Sequence, residues 1–250
     1  MRVLGIESSS LVASVALVTD DILTAEYTVD FKKTHSQTLL PMLDEIVKLL
    51  ELDMDTIDAI AVAGGPGSFT GLRIGAATAK GLGLALKKPL VHVPTVDAMA
   101  YNMWGAEGLI CPIMDAKRSQ VYTGLYHTGN GLEVVMEQQP MDMRELAGLL
   151  NKKGERVIFL GDGVPVYKDI IREMLTVPYA FAPAQMNRQR AASVAALGMN
   201  ALLDAEGCPG VRVVTAAQFT PDYLRKPQAE RQREAEQSAL GAAAKLPGDY

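Results

Sequence analysis

Two segments of the chain repeat one pattern, and this repetition constrains the fold more than any other feature of the sequence. An apolar run from Val3 to Ile6 ends at Glu7, a polar turn follows, and two further strand-like runs come after it. The same order returns 108 residues later, where the apolar run from Ile110 to Met114 ends at Asp115. Short apolar runs bounded by turn residues are typical of strands, and tight turns join them into antiparallel meanders. The pattern therefore predicts an internal duplication of a unit of three strands and a helix.

The duplication divides the chain into two expected domains, residues 1–107 and 108–226. Each is predicted to be an α/β unit, a mixed sheet with flanking helices, and the last helix of the second domain is expected to return to the first. From residue 227 the sequence changes to Glu, Arg, Gln and Ala with little apolar periodicity. Such a tail at 227–250 is typical of a solvated helix or of disorder.

Composition and charge exclude several classes of protein. The net charge of −5 argues against a generally basic nucleic-acid binder. Cys111 and Cys208 lie far apart and predict no disulfide framework. The N-terminus lacks the layout of a signal peptide, and no apolar run reaches the length of a membrane span, so we expect a cytoplasmic protein with no membrane partner.

A glycine-rich loop and a helix of small residues follow one another between Ala63 and Leu86. Ser68 or Thr70 can cap the start of this helix. Free N–H groups at such a start favour an anion such as phosphate. The run Gly71-Leu72-Arg73, however, does not match the GK[ST] ending of a P-loop.

The helix in this stretch carries glycine where alanine is more favourable by up to about 1 kcal/mol. Small residues recur every fourth position and form one ridge, which we call the glycine ridge: Gly71, Gly75, Ala79 and Gly83. The preceding predicted helix, Ser36 to Leu50, has an apolar surface broader than one buried stripe needs. Both helices can simply cover their own sheet. The surplus of apolar surface on the first and of small residues on the second, however, predicts a bundle with the helices of another chain. The expected interface residues are Leu39, Leu40, Leu43, Val47, Gly71, Leu72, Gly75, Ala76, Ala79 and Gly83.

Several segments together resemble the bacterial TsaB family, also called YeaZ, and the match spans roughly residues 1–226. The eleven-residue run Gly65–Gly75 (GPGSFTGLRIG) is highly specific beside a lone glycine pattern. Two acid-tipped units also resemble the actin-like ATPase and sugar-kinase superfold. The other matching segments are Val3–Ser9 (VLGIESS), His35–Gln37 with Leu39–Pro41, Asp115–Tyr122 (DAKRSQVY) and Pro221–Arg225 (PDYLR).

The resemblance implies a two-lobed actin-like fold of the ribonuclease-H-like kind and a role in making N6-threonylcarbamoyladenosine in tRNA. In that system the related subunit TsaD transfers the threonylcarbamoyl group, and TsaE is an ATPase. TsaB is taken to be the non-catalytic partner of TsaD. We therefore expect binding to TsaD, a place beside TsaE in a larger complex, a homodimer in isolation and only indirect contact with tRNA.

The histidines support this division of labour. The catalytic relatives use an HxxxH pair to bind a metal, because histidines four apart share one helix face. Here His35 is followed four residues later by Leu39, and His92 and His127 are single histidines in strand-like runs. We therefore expect no metal site, no catalytic residue and no required cofactor.

The superfold would place Glu7 and Asp115 on opposite walls of a nucleotide cleft, although each acid is also common as a cap or turn residue. Weak ATP or ADP binding in a vestigial cleft is one expectation. A stand-alone nucleotide hydrolase or phosphotransferase is the alternative function, whereas the missing histidine pair disfavours a metallopeptidase of the M22 type. The expected cleft residues are Glu7, Ser8, Gly65, Gly67, Asp115, Gly161 and Gly163.

Overall fold

The structure is a computed structural model that describes residues 1–204 and 210–224. Its first half begins with an antiparallel meander, as the sequence predicts, and continues with alternating helices and strands. The elements are β1 (Arg2–Glu7), β2 (Val12–Thr19), β3 (Ile22–Asp30), α1 (His35–Leu49), β4 (Ala59–Gly65), α2 (Phe69–Leu86), β5 (Leu90–Pro94) and α3 (Thr95–Tyr101).

The second half repeats the meander and then adds helices. The elements are β6 (Leu109–Asp115), β7 (Gln120–His127), β8 (Glu133–Asp142), α4 (Met143–Lys153), β9 (Val157–Leu160), α5 (Val164–Met174), β10 (Tyr179–Phe181), α6 (Ala191–Leu203) and β11 (Arg212–Val214). None of the helices in residues 1–204 or 210–224 has the length and apolar character needed to cross a membrane. Cys208 and the tail at 227–250 lie outside the described residues.

Two mixed sheets organise the chain. The first sheet has the strand order β11-β5-β4-β1-β2-β3, and the second has the order β10-β9-β6-β7-β8. In each sheet the first strand of the meander pairs antiparallel with the second and parallel with a later strand. The two sheets therefore share the topology that the repeated sequence pattern predicts.

Helices cover both faces of the first sheet. Helices α1 and α2 pack on one face around Leu4, Leu39 and Ile60. Helix α6 packs on the other face, where Val194 and Ala195 contact the sheet. Helix α3 lies against the second sheet, and α4 and α5 cover the opposite face of that sheet. This arrangement leaves α1 and α2 on the outside of the molecule and puts the turns after β1 and β6 beside each other.

One part of the chain differs from the expected division into domains. Strand β11, at residues 212–214, pairs antiparallel with β5 and so belongs to the first sheet. These residues lie within the range expected for the second domain, because three residues with no alternating pattern carry no strand signal. The Asp222 backbone N–H also donates to the Gly64 carbonyl at 2.7 Å, so the chain after β11 stays on the first domain.

Candidate functional site

The turn after β1, which we call the β1 turn (Ser8–Ser10), lies directly on the start of helix α2. The Ser8 hydroxyl donates to the Gly71 carbonyl at 2.9 Å, and the Ser68 N–H donates to the Ser9 carbonyl at 2.6 Å. Ser68 also caps the helix by accepting from the Gly71 N–H. A Cβ at Gly71 would overlap the Ser8 carbonyl oxygen, and a Cβ at Gly75 would overlap the Ser8 hydroxyl. Both glycines are therefore required by the close approach of the turn.

Glu7 ends β1 with a buried carboxyl group. Its Oε1 atom accepts a hydrogen bond of 2.6 Å from the Ser9 N–H. Burial raises the pKa of Glu7 to about 7, and the nearby carboxylate of Asp162 adds to the increase. Because burial disfavours a charged carboxylate, Glu7 takes up a proton far more readily than an exposed glutamate.

Asp115 ends β6 and holds the turn after it, which we call the β6 turn (Ala116–Ser119). Its carboxylate accepts from the Lys117 N–H at 2.8 Å, from Lys117 Nζ at 2.6 Å and from the Tyr167 hydroxyl at 3.0 Å. Burial alone would raise the pKa of Asp115, but these hydrogen bonds outweigh it and hold the pKa below the usual value. Asp115 therefore remains charged at a pH where Glu7 is already partly protonated.

A cavity of about 450 Å³ lies between these two turns and opens to solvent. Asp162, at the start of α5, contributes a carboxylate whose pKa is raised by burial. The expected cleft residues include only the glycines on either side of Asp162. The signal that identifies Asp162 is its position just after the buried strand β9. The lining residues are Ser9, Ser10, Leu11, Gly67, Ser68, Phe69, Met114, Asp115, Ala116, Lys117, Tyr122 and Asp162.

The residues expected in the cleft take three different places. Gly67 and Asp115 line the cavity, whereas Glu7 and Ser8 are buried and do not belong to its lining. Gly65 packs on the Asp222 carbonyl, where a side chain has no room.

The last two expected cleft residues, Gly161 and Gly163, pack on the second sheet. A Cβ at either glycine would meet the Ile113 carbonyl oxygen. Gly65, Gly161 and Gly163 are therefore outside the cleft, because close backbone packing needs glycine at these positions.

The charges of the cavity fit a nucleotide phosphate poorly. Asp115 and Asp162 both line it, and the ammonium group of Lys117 is already bonded to Asp115. Among the residues that the structure describes, no three His, Cys, Asp or Glu side chains are placed to share a metal ion. Weak ATP or ADP binding therefore stays a prediction.

The glycine ridge of α2 faces the interior of its own chain. Ala79 is fully buried in the core beneath α1 and α2, and a Cβ at Gly83 would lie 2.9 Å from the Leu90 side chain. Gly71 and Gly75 pack on Ser8 as described above. The prediction that this ridge is a surface for another chain is therefore wrong, because the β1 turn and β5 already occupy it.

Most of the other expected interface residues are also buried. Leu39 and Leu43 of α1 and Leu72 and Ala76 of α2 belong to the core, and Val47 is half-buried. Their apolar character reflects packing on the first sheet rather than a surplus for a partner.

A second row of small residues occupies the exposed side of α2. Ala77, Gly81 and Ala85 recur every fourth position and are exposed, with Leu84 beside them at 65% exposure. Apart from its chain neighbours and the backbone of the same helix turn, no atom of the described residues lies within 4 Å of a Cβ built at Gly81. On α1, Leu40 is 54% exposed. We call Leu40, Ala77, Gly81, Leu84 and Ala85 the outer helix face.

Each histidine contacts a group of its own chain, and His35 and His127 form hydrogen bonds there. His35 Nε2 donates to the Ser10 carbonyl at 2.7 Å and so ties α1 to the β1 turn. His92 is buried beside Asp222, with its Nε2 atom 3.3 Å from a carboxylate oxygen. His127 Nε2 lies 2.9 Å from Glu155. Leu39, four residues after His35, is buried in the core.

Comparison with known proteins places the chain in a class and then in a family. A family model described as TsaD, tRNA N6-adenosine threonylcarbamoyltransferase, matches residues 29–233. The chain is also 34% identical over 232 residues to the tRNA threonylcarbamoyladenosine biosynthesis protein TsaB of Bacillus subtilis strain 168, which covers 92% of this chain and 96% of that protein. The two matches define the class as the proteins related to TsaD. Within this class the chain belongs to the TsaB family.

Solved structures agree with this assignment. YeaZ from Pseudomonas aeruginosa superposes with a TM-score of 0.72 at 26% identity, over 89% of this chain and 99% of that chain. The activator of 2-hydroxyisocaproyl-CoA dehydratase from Clostridium difficile, solved with bound ADPNP, superposes with a TM-score of 0.52 at 9% identity, over 82% of this chain and 97% of that chain. The second likeness concerns the fold alone. The predicted two-lobed, actin-like α/β fold is confirmed.

Proposed function

We propose that the chain is a non-catalytic subunit of the system that makes N6-threonylcarbamoyladenosine in tRNA, and that it binds and activates the TsaD catalytic subunit. Membership of the TsaB family supports the pathway. The observation that carries the partnership is the outer helix face, where a row of small residues on α2 is exposed together with Leu84 of the same helix and Leu40 of α1. Small residues let a second helix approach to the short end of the usual interaxial distance of about 8–10 Å.

The same face explains the expected homodimer. A two-fold dimer uses one self-complementary surface on both copies, so α1 and α2 of one chain would pack on α1 and α2 of the other. TsaD belongs to the same class of fold and would present a related helix pair, so it competes with the second copy. TsaE then joins the larger complex, and tRNA is contacted through TsaD.

The non-catalytic role is supported by the environment of His35. Its Nε2 atom is engaged by the Ser10 carbonyl, and Leu39 fills the core where an HxxxH pair would need its second histidine. A leucine at this position has no lone pair for a metal. His35 therefore holds the β1 turn in place.

The test compares two helical glycines that both have open space around them. Gly81→Leu alters the outer helix face, and Gly148→Leu makes the same change on α4 of the second domain. We expect Gly81→Leu to weaken the binding of TsaD from the same organism by at least tenfold in calorimetry. The variant should also lower tRNA modification in parallel and shift the isolated chain from dimer to monomer. Gly148→Leu should behave as wild type in all three. A folded Gly81→Leu protein that still binds TsaD normally would show that the interface lies elsewhere.

A stand-alone nucleotide hydrolase or phosphotransferase is the competing function, and the cavity between Asp115 and Asp162 is the feature that favours it. Calorimetry with ATP and magnesium separates the two. We expect weak or no binding and no turnover by the isolated chain. Micromolar affinity together with turnover would overturn the accessory role.

A further inference from the structure

An apolar groove runs between the edge strand β3 and helix α1. It has a volume of about 960 Å³ and is lined by residues from positions 25 to 50. Strand β3 ends the first sheet, so its far side has no neighbouring strand among the described residues. From β3 and the turn after it come Ala25, Tyr27, Val29 and Phe31; from α1 and its C-cap come Pro41, Met42, Ile46, Leu49 and Leu50.

Large apolar side chains at the rim of this groove are exposed to solvent. Leu49 is 80% exposed, Phe31 66% and Tyr27 43%. Single exposed apolar residues are ordinary, but contiguous ones along a concave surface are typical of sites where another molecule binds.

Strand β3 also lacks the charges that normally protect an edge strand from pairing. Its two acids are engaged by the same chain: Glu26 pairs with Arg190, and Asp30 pairs with Arg188. An edge strand presents a row of N–H and C=O groups to any extended segment beside it. The groove therefore offers main-chain hydrogen bonds on one wall and apolar contacts on its floor, the arrangement used in recognition by strand addition.

We propose that the β3–α1 groove binds an extended segment of a partner protein by strand addition to β3, and that this segment has apolar side chains at alternate positions. The alternation follows from the period of a strand, in which every second side chain would enter the groove.

Two charges in the groove define the segment further. Lys33 lies at the end closed by the turn between β3 and α1, and Glu45 lies on the wall formed by α1. Neither forms an ion pair with another described residue. Glu45 is ten residues along α1 from His35, about 15 Å at 1.5 Å per residue. That distance corresponds to about four or five residues of a strand. The segment therefore carries an acidic residue for Lys33 and a basic residue for Glu45, about four positions apart, an even spacing that keeps both side chains on the groove side of the strand.

A bulge in β3 favours such a segment over a second copy of the chain. The pairing of β3 with β2 shifts between Leu17 and Val18, so the regular register runs only from Ala25 onward. A two-fold pair of β3 strands needs both halves of the strand, and a bulge interrupts ladder pairing. A short segment needs only the regular half of β3, from Ala25 onward.

The test uses two fluorescein-labelled ten-residue peptides with valine at alternate positions and threonine between them. One has glutamate before lysine, four positions apart on the valine-bearing face, and the other has the reverse order. We expect one of the two to bind the full-length chain in fluorescence anisotropy, and Tyr27→Glu to weaken that binding at least tenfold. Val166→Glu, at a 57% exposed position on α5, is the matched control and should leave the affinity unchanged.

A charge exchange tests the orientation. Lys33→Glu and Glu45→Lys should each weaken binding about threefold, as expected for exposed ion pairs. The double variant should recover affinity for the peptide with exchanged charges. The proposal is overturned if neither peptide binds below millimolar concentration or if Tyr27→Glu binds normally.

Two further outcomes would assign the groove to a different occupant and also overturn the proposal. The first is a dimer in sedimentation that Tyr27→Glu converts to a monomer, which identifies a second copy. The second is displacement of the probe by a synthetic peptide of residues 225–250, which identifies a segment of this chain.

Discussion

The β1 turn and the β6 turn occupy corresponding places in the two repeated units, but different forces hold them. Close packing on two helices fixes the β1 turn: the Ser9 carbonyl accepts from the Ser68 N–H at the start of α2, and the Ser10 carbonyl accepts from His35 Nε2 at the start of α1. In the β6 turn a charged pair adds to the backbone hydrogen bonds between the turn and Gln120, because Asp115 binds both the N–H and the ammonium group of Lys117.

The backbone of the β6 turn shows the consequence of this difference. Lys117, Arg118 and Ser119 have φ values of 64°, 57° and 60°, a region that costs a residue with a side chain roughly 1–2 kcal/mol. No glycine relieves this strain, so the hydrogen bonds of Asp115 offset it. The β1 turn should therefore be sensitive to added volume, whereas the β6 turn should be sensitive to the loss of a charge.

The largest expected effect comes from adding one carbon atom beneath the β1 turn. Gly71→Ala would bring a Cβ into the Ser8 carbonyl oxygen, so we expect the free energy of unfolding to fall by about 3 kcal/mol. Urea denaturation measures the loss. Gly81→Ala on the exposed side of the same helix is the control and should gain about 1 kcal/mol. Equal effects at the two positions would contradict the close approach of the turn to α2.

The acid of the first unit should make the protein less stable as the pH rises. Burial raises the pKa of Glu7 from 4.5 to about 7, so the folded state holds its proton more tightly than the unfolded chain. Stability from this group is complete below about pH 4.5 and is lost as the pH rises towards 7, with a total near 2 kcal/mol between pH 5 and 8. Denaturant unfolding across this range should show the slope, and Glu7→Gln should remove it. If Glu7→Gln keeps the same slope of stability against pH, the pH dependence comes from other groups.

The sequence predicts the repeated architecture well because short apolar runs bounded by turn residues, which are local features of the sequence, indicate both meanders. The predicted helix Ser36–Leu50 corresponds to α1 at His35–Leu49. Strands β10 and β11 were missed. Each has three residues and depends on a partner strand that is not adjacent in the chain. Strand β10 pairs with β9, on the other side of α5, and β11 pairs with β5, which lies far away in the sequence.

The candidate sites were less predictable because periodicity does not say which face of a helix is buried. Two rows of small residues run along α2, one through Gly75 and one through Gly81, and both recur every fourth position. Only the position of Ser8 decides between them, since its hydroxyl occupies the space over Gly75. That contact joins residues far apart in the sequence and has no local signal.

Loss of Asp115, the acid of the second unit, should lower the free energy of unfolding moderately, with a pH dependence opposite to that of Glu7. Asp115→Asn removes the charge that binds Lys117, so we expect a loss of about 1–2 kcal/mol at pH 7. The pKa of Asp115 lies below its usual 3.8, so its contribution is present above about pH 4 and is lost as the pH falls through the folded-state pKa. The gap between variant and wild type should therefore close in acid. Asp169→Asn, next to Arg172 on the exposed side of α5, is the control and should change little at any pH.

The smallest effect should come from the cation of the same turn. Lys117→Met removes an ammonium group that is 82% exposed, so the loss of stability should stay below about 1 kcal/mol. The carboxyl of Asp115 should respond more clearly, because it keeps the Lys117 N–H and the Tyr167 hydroxyl but loses the positive charge. We expect its pKa to rise in an NMR titration, while the pKa of Glu7 in the other turn stays constant. An equal rise at both acids would show that the two turns are electrostatically coupled across the cavity, and that the β1 turn depends on charge as well as on packing.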